Sequence, residues 1–93
     1  MSRLTQRDVS ALEAVGLRTG ERVRFRRADR ARWQMGSVDR LERDGTLRVT
    51  DADGAARTVA FAHVQVQIRR SGRASRWEPL ADRANRSVQL SLL

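Results

Sequence analysis

The sequence contains no cysteine, no lysine and no tyrosine, and it has one proline and one histidine. Without cysteine there is neither a disulfide framework nor a thiolate metal site. A lone His63 cannot build a two-histidine metal centre. With cysteine, lysine and tyrosine all missing, most nucleophilic catalysis lacks its parts. No glycine-rich phosphate loop, helical H-E-x-x-H or ordered Ser-His-Asp set stands in for them. The sequence therefore predicts no enzyme, no cofactor, no metal and no small-molecule substrate. Aromatic residues are only 4% of the chain, too few for a base-stacking array or a methyl-cation cage. No apolar run approaches the ~20 residues of a spanning helix, so no membrane role is expected. The opening MSRLTQRDVS lacks the apolar stretch of a secretory signal, which makes a cytoplasmic address the expectation.

What the chain has in abundance is positive charge. All 19 basic residues are arginine; against 11 acids they give a net charge of +8. A small basic domain attracts polyanions, above all nucleic acid, through a salt-screened field. The length of 93 residues allows one small domain with a tail.

The hydrophobic period changes along the chain. Over residues 4–16, Leu4, Val9, Leu12 and Val15 recur at helical spacing. Thr5 is placed to cap this helix with Asp8 completing a capping box, and Gly16 is a natural stop. Residues 1–17 are thus expected to be a helix packed on a neighbouring domain. From Glu21 the period becomes 2. Val23 and Phe25 alternate with Arg22, Arg24 and Arg26, the pattern of a half-buried strand. A second strand follows from Trp33 to Leu41, with a bulge or tight bend expected at Gly36. Asp44-Gly45 and Asp53-Gly54 signal hairpin turns on either side of a third strand containing Leu47 and Val49. Val59 and Phe61 mark a fourth strand. After a short turn at FAH, Val64, Val66 and Ile68 alternate with Gln65, Gln67 and Arg69 on a fifth.

GERVRF, the W-x-x-G-x-V of WQMGSV, the DGTLRV hairpin and the FAH turn before VQVQI together resemble an SH3-like barrel of the Tudor or KOW kind. The resemblance spans residues 18–70 and implies a mainly β fold, a small five-stranded antiparallel barrel closed on itself. An OB-like barrel is the alternative. The candidate core is Val23, Phe25, Val38, Leu47, Val49, Val59, Phe61, Val64, Val66 and Ile68. Residues 71–87 have no sustained period and are expected to be a linker, with one apolar knot at Trp77 and Leu80 that docks back on the barrel.

Arg22, Arg24 and Arg26 share one side of their strand, about 6.6 Å apart. The barrel resemblance implies pairing of the first and fifth strands, which sets Gln65, Gln67 and Arg69 beside them. Arg27, Arg30 and Arg32 crowd the following loop. Guanidinium forks suit phosphate oxygens, and such contacts hold a backbone without reading sequence. This face is the expected nucleic-acid-binding surface, with DNA and RNA both open. The competing reading is that strand arginines only keep the sheet soluble.

The chain ends Gln89-Leu90-Ser91-Leu92-Leu93. This pentapeptide resembles the bacterial sliding-clamp-binding motif Q-L-S/D-L-F in its Leu-ending form. The resemblance implies a flexible peptide over residues 88–93 that docks extended on the DNA sliding clamp. Gln89 would be the polar anchor, Leu92 and Leu93 the apolar plug, Leu90 a secondary contact and Ser91 a spacer. The expected function is a non-enzymatic accessory protein of DNA replication or repair. The alternatives are an RNA- or ribosome-associated KOW-like module whose tail is structural, and a protein-interaction barrel. Alternation of Val88, Leu90 and Leu92 also permits a sixth strand.

Overall fold

A computed structural model of the chain describes residues 5–68 and 76–91, the last four by backbone alone. Helix α1 (Gln6–Ala14) precedes strands β1 (Arg22–Phe25), β2 (Gln34–Leu41), β3 (Leu47–Asp51) and β4 (Ala56–Val59). A single 3₁₀ turn (Phe61–His63) leads to β5 (Val64–Ile68), then β6 (Arg76–Pro79) and helix α2 (Leu80–Ser91). The strands form one antiparallel sheet in the order β4-β3-β2-β1-β5-β6.

Two expectations are corrected. The sheet has six strands rather than five, and it is open rather than closed into a barrel. Residues 76–91 are a strand and a helix rather than linker and flexible peptide. Both corrections share one cause. An open sheet leaves its apolar face uncovered, and the helices cover it. Leu12 of α1, Leu17 after it and Leu80 of α2 are almost wholly buried among the strand residues. Helix α1 packs on β2, while α2 lies against β5, β6 and the 3₁₀ turn. Eight of the ten expected core residues are buried there; Phe61 and Ile68 are only half-buried.

Local signals are obeyed closely. The Thr5 hydroxyl accepts the Asp8 N–H at 3.1 Å, and the Asp8 carboxylate accepts the Thr5 N–H at 3.0 Å, a complete capping box. Those hydrogen bonds hold the Asp8 carboxyl below the usual carboxylate range. Both Asp-Gly turns form, with Asp44 bonded to Thr46 and Asp51 to the Asp53 and Ala55 N–H groups. The register shift on β2 falls between Val38 and Arg40 rather than at Gly36. Gly36 answers a different need. A Cβ there would lie 2.7 Å from the Thr50 carbonyl oxygen and 3.0 Å from the Phe25 ring.

Helix α2 is seated by charge as much as by apolar contact. Leu80, Arg83, Ala84 and Ser87 form its half-buried or buried stripe. Glu78 of β6, paired across the ladder with Val66, faces the same side and is 8% exposed. Its carboxylate accepts two hydrogen bonds from Arg86, one of them at 2.8 Å, and lies 3.6 Å from Arg83 Nε. Arg83 in turn donates to Glu21, to the Gln67 carbonyl at 2.9 Å and to the Gly16 carbonyl at 3.4 Å. The Arg86 hydrogen bonds push the Glu78 carboxyl below its ordinary 4.5.

Gly16 sits at φ +80°, and a Cβ there would come within 2.5 Å of Ser87 Oγ. Gly16→Ala should therefore lower stability by about 1–3 kcal/mol in urea unfolding, through backbone strain and displacement of α2. A lowered folded pKa for Glu78 means that its contribution is present above pH 4.5 and is lost as pH falls through the lower, folded value. Acid unfolding of Glu78→Gln should begin from a less stable protein at neutral pH and show a shallower loss below pH 4.5 than the unaltered chain.

Candidate nucleic-acid interface

With Val23 and Phe25 buried, the pleat turns Arg22, Arg24 and Arg26 to the outer face of β1. The ladder sets Gln65 of β5 on one side of Arg24 and Met35 of β2 on the other. Arg24 Nε donates to Gln65 Oε1 at 2.6 Å. One strand further out, Gln67 pairs with Trp77 of β6. Trp33 enters the same face just ahead of β2, since its neighbour Gln34 pairs with Phe25.

These placements build an alternating stack. The Arg24 guanidinium carbon lies 5.0 Å from the Trp77 ring centre and 4.7 Å from that of Trp33. Arg26 lies 4.4 Å from the Trp33 centre. The order is Trp77, Arg24, Trp33, Arg26. Stacking of this kind fixes guanidinium planes and is worth about 0.5–1 kcal/mol per contact at a partly exposed site. Arg24 is thus an interior member of the face, and its cationic edge is pre-oriented. Asp29 lies near the end of the stack, 3.9 Å from Arg26 and 3.3 Å from His63.

Arg22, Arg27, Arg30 and Arg32 are exposed. Arg22 stands apart from the stack, beside a polar cleft of about 650 Å³ that Arg18 and Arg83 also line. Arg27, Arg30 and Arg32 occupy the β1–β2 loop, with Arg30 in the left-handed region at φ +75°. The structure therefore brings Arg24 and Arg26 together through Trp33, with the loop arginines beyond, and leaves Arg22 at the opposite end of β1. Arg69 lies outside the described residues. So do Leu92 and Leu93, while Gln89, Leu90 and Ser91 continue the backbone of α2.

The acids explain why the arginines dominate this surface. Glu21 and Glu78 are engaged by Arg83 and Arg86, Asp51 by Arg57, and Glu42 by Arg40. Arg57 and the backbone N–H groups of the turn hold the Asp51 carboxyl below the usual range. Asp39 accepts from the Thr50 hydroxyl. Sequence reasoning identified the strand arginines but missed their aromatic support. Trp77 reaches Arg24 only because β6 adds beside β5, and the aperiodic stretch before it carried no strand signal.

No helix among the described residues is long and apolar enough to cross a membrane. Comparison with protein-family models, curated proteins and solved structures returns no match to this chain.

Arg24→Ala should cost about 1–3 kcal/mol in urea unfolding, from two stacking contacts and a hydrogen bond. It should also change tryptophan emission in the folded state, because both indoles lose their cationic neighbour. An unaltered spectrum and stability would remove the stack as a structural element.

Proposed function

We propose that this protein is a non-enzymatic accessory factor that grips nucleic-acid backbone through its arginine face. The observation that carries the reading is the Trp77–Arg24–Trp33–Arg26 stack continued by exposed Arg27, Arg30 and Arg32. Exposed guanidinium groups beside a rigid platform suit phosphate oxygens, and the stacked pair supplies fixed charge without further ordering. Base readout is no part of this reading, since the indoles are already engaged by arginine. Such contacts position a protein on a strand and leave sequence unread.

The carboxy-terminal pentapeptide adds recruitment to the DNA sliding clamp, which places the protein in replication or repair. Gln89 is the polar anchor in this reading and Leu92 and Leu93 the plug. Because Gln89, Leu90 and Ser91 continue α2 by backbone, docking as an extended peptide requires the last helical turn to open. Helix ends open at small free-energy cost, so the requirement is modest. The packing of α2 on the sheet favours a second reading, an RNA- or ribosome-associated module whose tail is structural.

Binding to duplex DNA and to RNA of equal length, measured against salt, tests the first half. The logarithm of the affinity should fall linearly with the logarithm of salt. Arg30→Ala with Arg32→Ala should lower that slope by about two phosphate contacts. These positions are preferable to Arg24, whose removal disturbs the fold. A salt-independent affinity, or none, defeats the nucleic-acid reading, and a clear preference for RNA selects the second reading. For the clamp, purified clamp titrated with the unaltered chain should bind at least tenfold more tightly than with Gln89→Ala/Leu92→Ala. Equal affinities would remove recruitment from the proposal.

A further inference from the structure

At the end of β1 remote from Arg22, a pocket of about 220 Å³ lies between the start of the β1–β2 loop and β4. Arg26, Arg27, Gln34, Arg57 and Thr58 supply its polar lining, and Phe25 and Val59 are buried on its inner side. Three arginines, Arg57 of β4 and Arg26 and Arg27 just after β1, thus line one small volume. Like charges gathered this way repel one another unless an anion is shared between them. Arg57 spends its Nε on Asp51 at 2.9 Å. Asp29, at 3.9 Å from Arg26 Nη2, is beyond hydrogen-bond reach and 88% exposed. Arg26 Nε is buried with no acceptor among the described residues. A buried guanidinium N–H in that state is costly, and it leaves the Arg26 group short of acceptors. Trp33, stacked on Arg26, already fixes the plane of that group.

We propose that this pocket binds the phosphate monoester at the end of a nucleic-acid strand. A monoester carries a charge near −1.5 to −2 and three acceptor oxygens, a match for several guanidinium donors. The volume admits a phosphoryl group. Buried Phe25 and Val59 shut the inner side, so a ligand enters and leaves from solvent alone. A phosphodiester within a strand must continue in two directions, whereas a terminal monoester continues in one. The choice of a nucleic-acid end as ligand rests on the proposed function; the anion pocket itself does not.

The test uses the full chain and one oligonucleotide sequence carrying a 5′-phosphate, a 3′-phosphate or hydroxyls at both ends, at constant ionic strength. One phosphate-ended strand should bind about tenfold more tightly than the hydroxyl-ended strand. Arg27→Ala should erase that preference, whereas Arg32→Ala should weaken all three strands by a common factor. Thr58→Val, an exposed and nearly isosteric change, should reduce the preference without disturbing the fold. Inorganic phosphate should shift the Arg26 Nε–H resonance. If all strands bind equally and phosphate moves no arginine resonance, the pocket is overturned while the arginine face stands. If no strand binds but phosphate moves that resonance, the arginine face and the choice of ligand fall and the anion pocket remains.

Discussion

A carboxylate on the last strand joins the sheet to the helix that follows it. Glu78 sits on the core-facing side of β6, takes a two-point grip from Arg86 and lies beside Arg83. Arg83 extends the connection to Glu21 before β1 and to the carbonyls of Gly16 and Gln67. One guanidinium therefore ties together α2, β5 and the turn that leaves α1. Removing a partner from a buried ion pair typically costs about 3–5 kcal/mol, because the other charge is left stranded. Arg86 is more than half exposed, so solvent screening keeps its pair with Glu78 well below that range. What it secures is placement. With α2 seated, Leu80 closes the core, and β6 is held where Trp77 meets Arg24.

The two faces of the sheet are consequently coupled. On the inner face Glu78 and Leu80 anchor β6, and on the outer face Trp77 of the same strand stacks on Arg24. Strand alternation makes this unavoidable, since neighbours at 77 and 78 point to opposite sides. The arginine face is thus supported from behind by an internal ion network that also consumes acids. Pairing of Glu21, Glu42, Asp51 and Glu78 with arginines elsewhere leaves the β1–β2 loop cationic. A field of that sign attracts negative charge and is screened as salt rises.

Much of the fold was legible in the residues. The Thr5–Asp8 capping box, the Asp-Gly hairpins and the alternation of Val23 and Phe25 with arginine all act within a few residues of themselves. The pairing of β1 with β5, which puts Gln65 beside Arg24, was implied by the barrel resemblance and is present. The end of the chain was legible only in part: Leu80 was expected to dock back and is buried in the core, but β6 and α2 were not foreseen. The stripe of α2 reads Leu, Arg, Ala, Ser, which carries no apolar period because its second member is buried by ion pairing rather than by hydrophobicity. Glu78 likewise looks like a surface acid until its partners are assembled around it.

Composition and local pattern by themselves determined a basic, cysteine-free, mainly β domain with a capped amino-terminal helix and arginines on one side of its first strand. These features depend on backbone periodicity and turn chemistry, which are set by residues adjacent in the chain. Only the tertiary structure decided that the sheet stays open, gains a sixth strand and is covered by helices. It also decided that Trp33 and Trp77 bracket Arg24 and that Arg57 joins Arg26 and Arg27 around one pocket. Those outcomes rest on contacts between residues far apart in sequence, where burial and charge pairing, rather than propensity, select the partner.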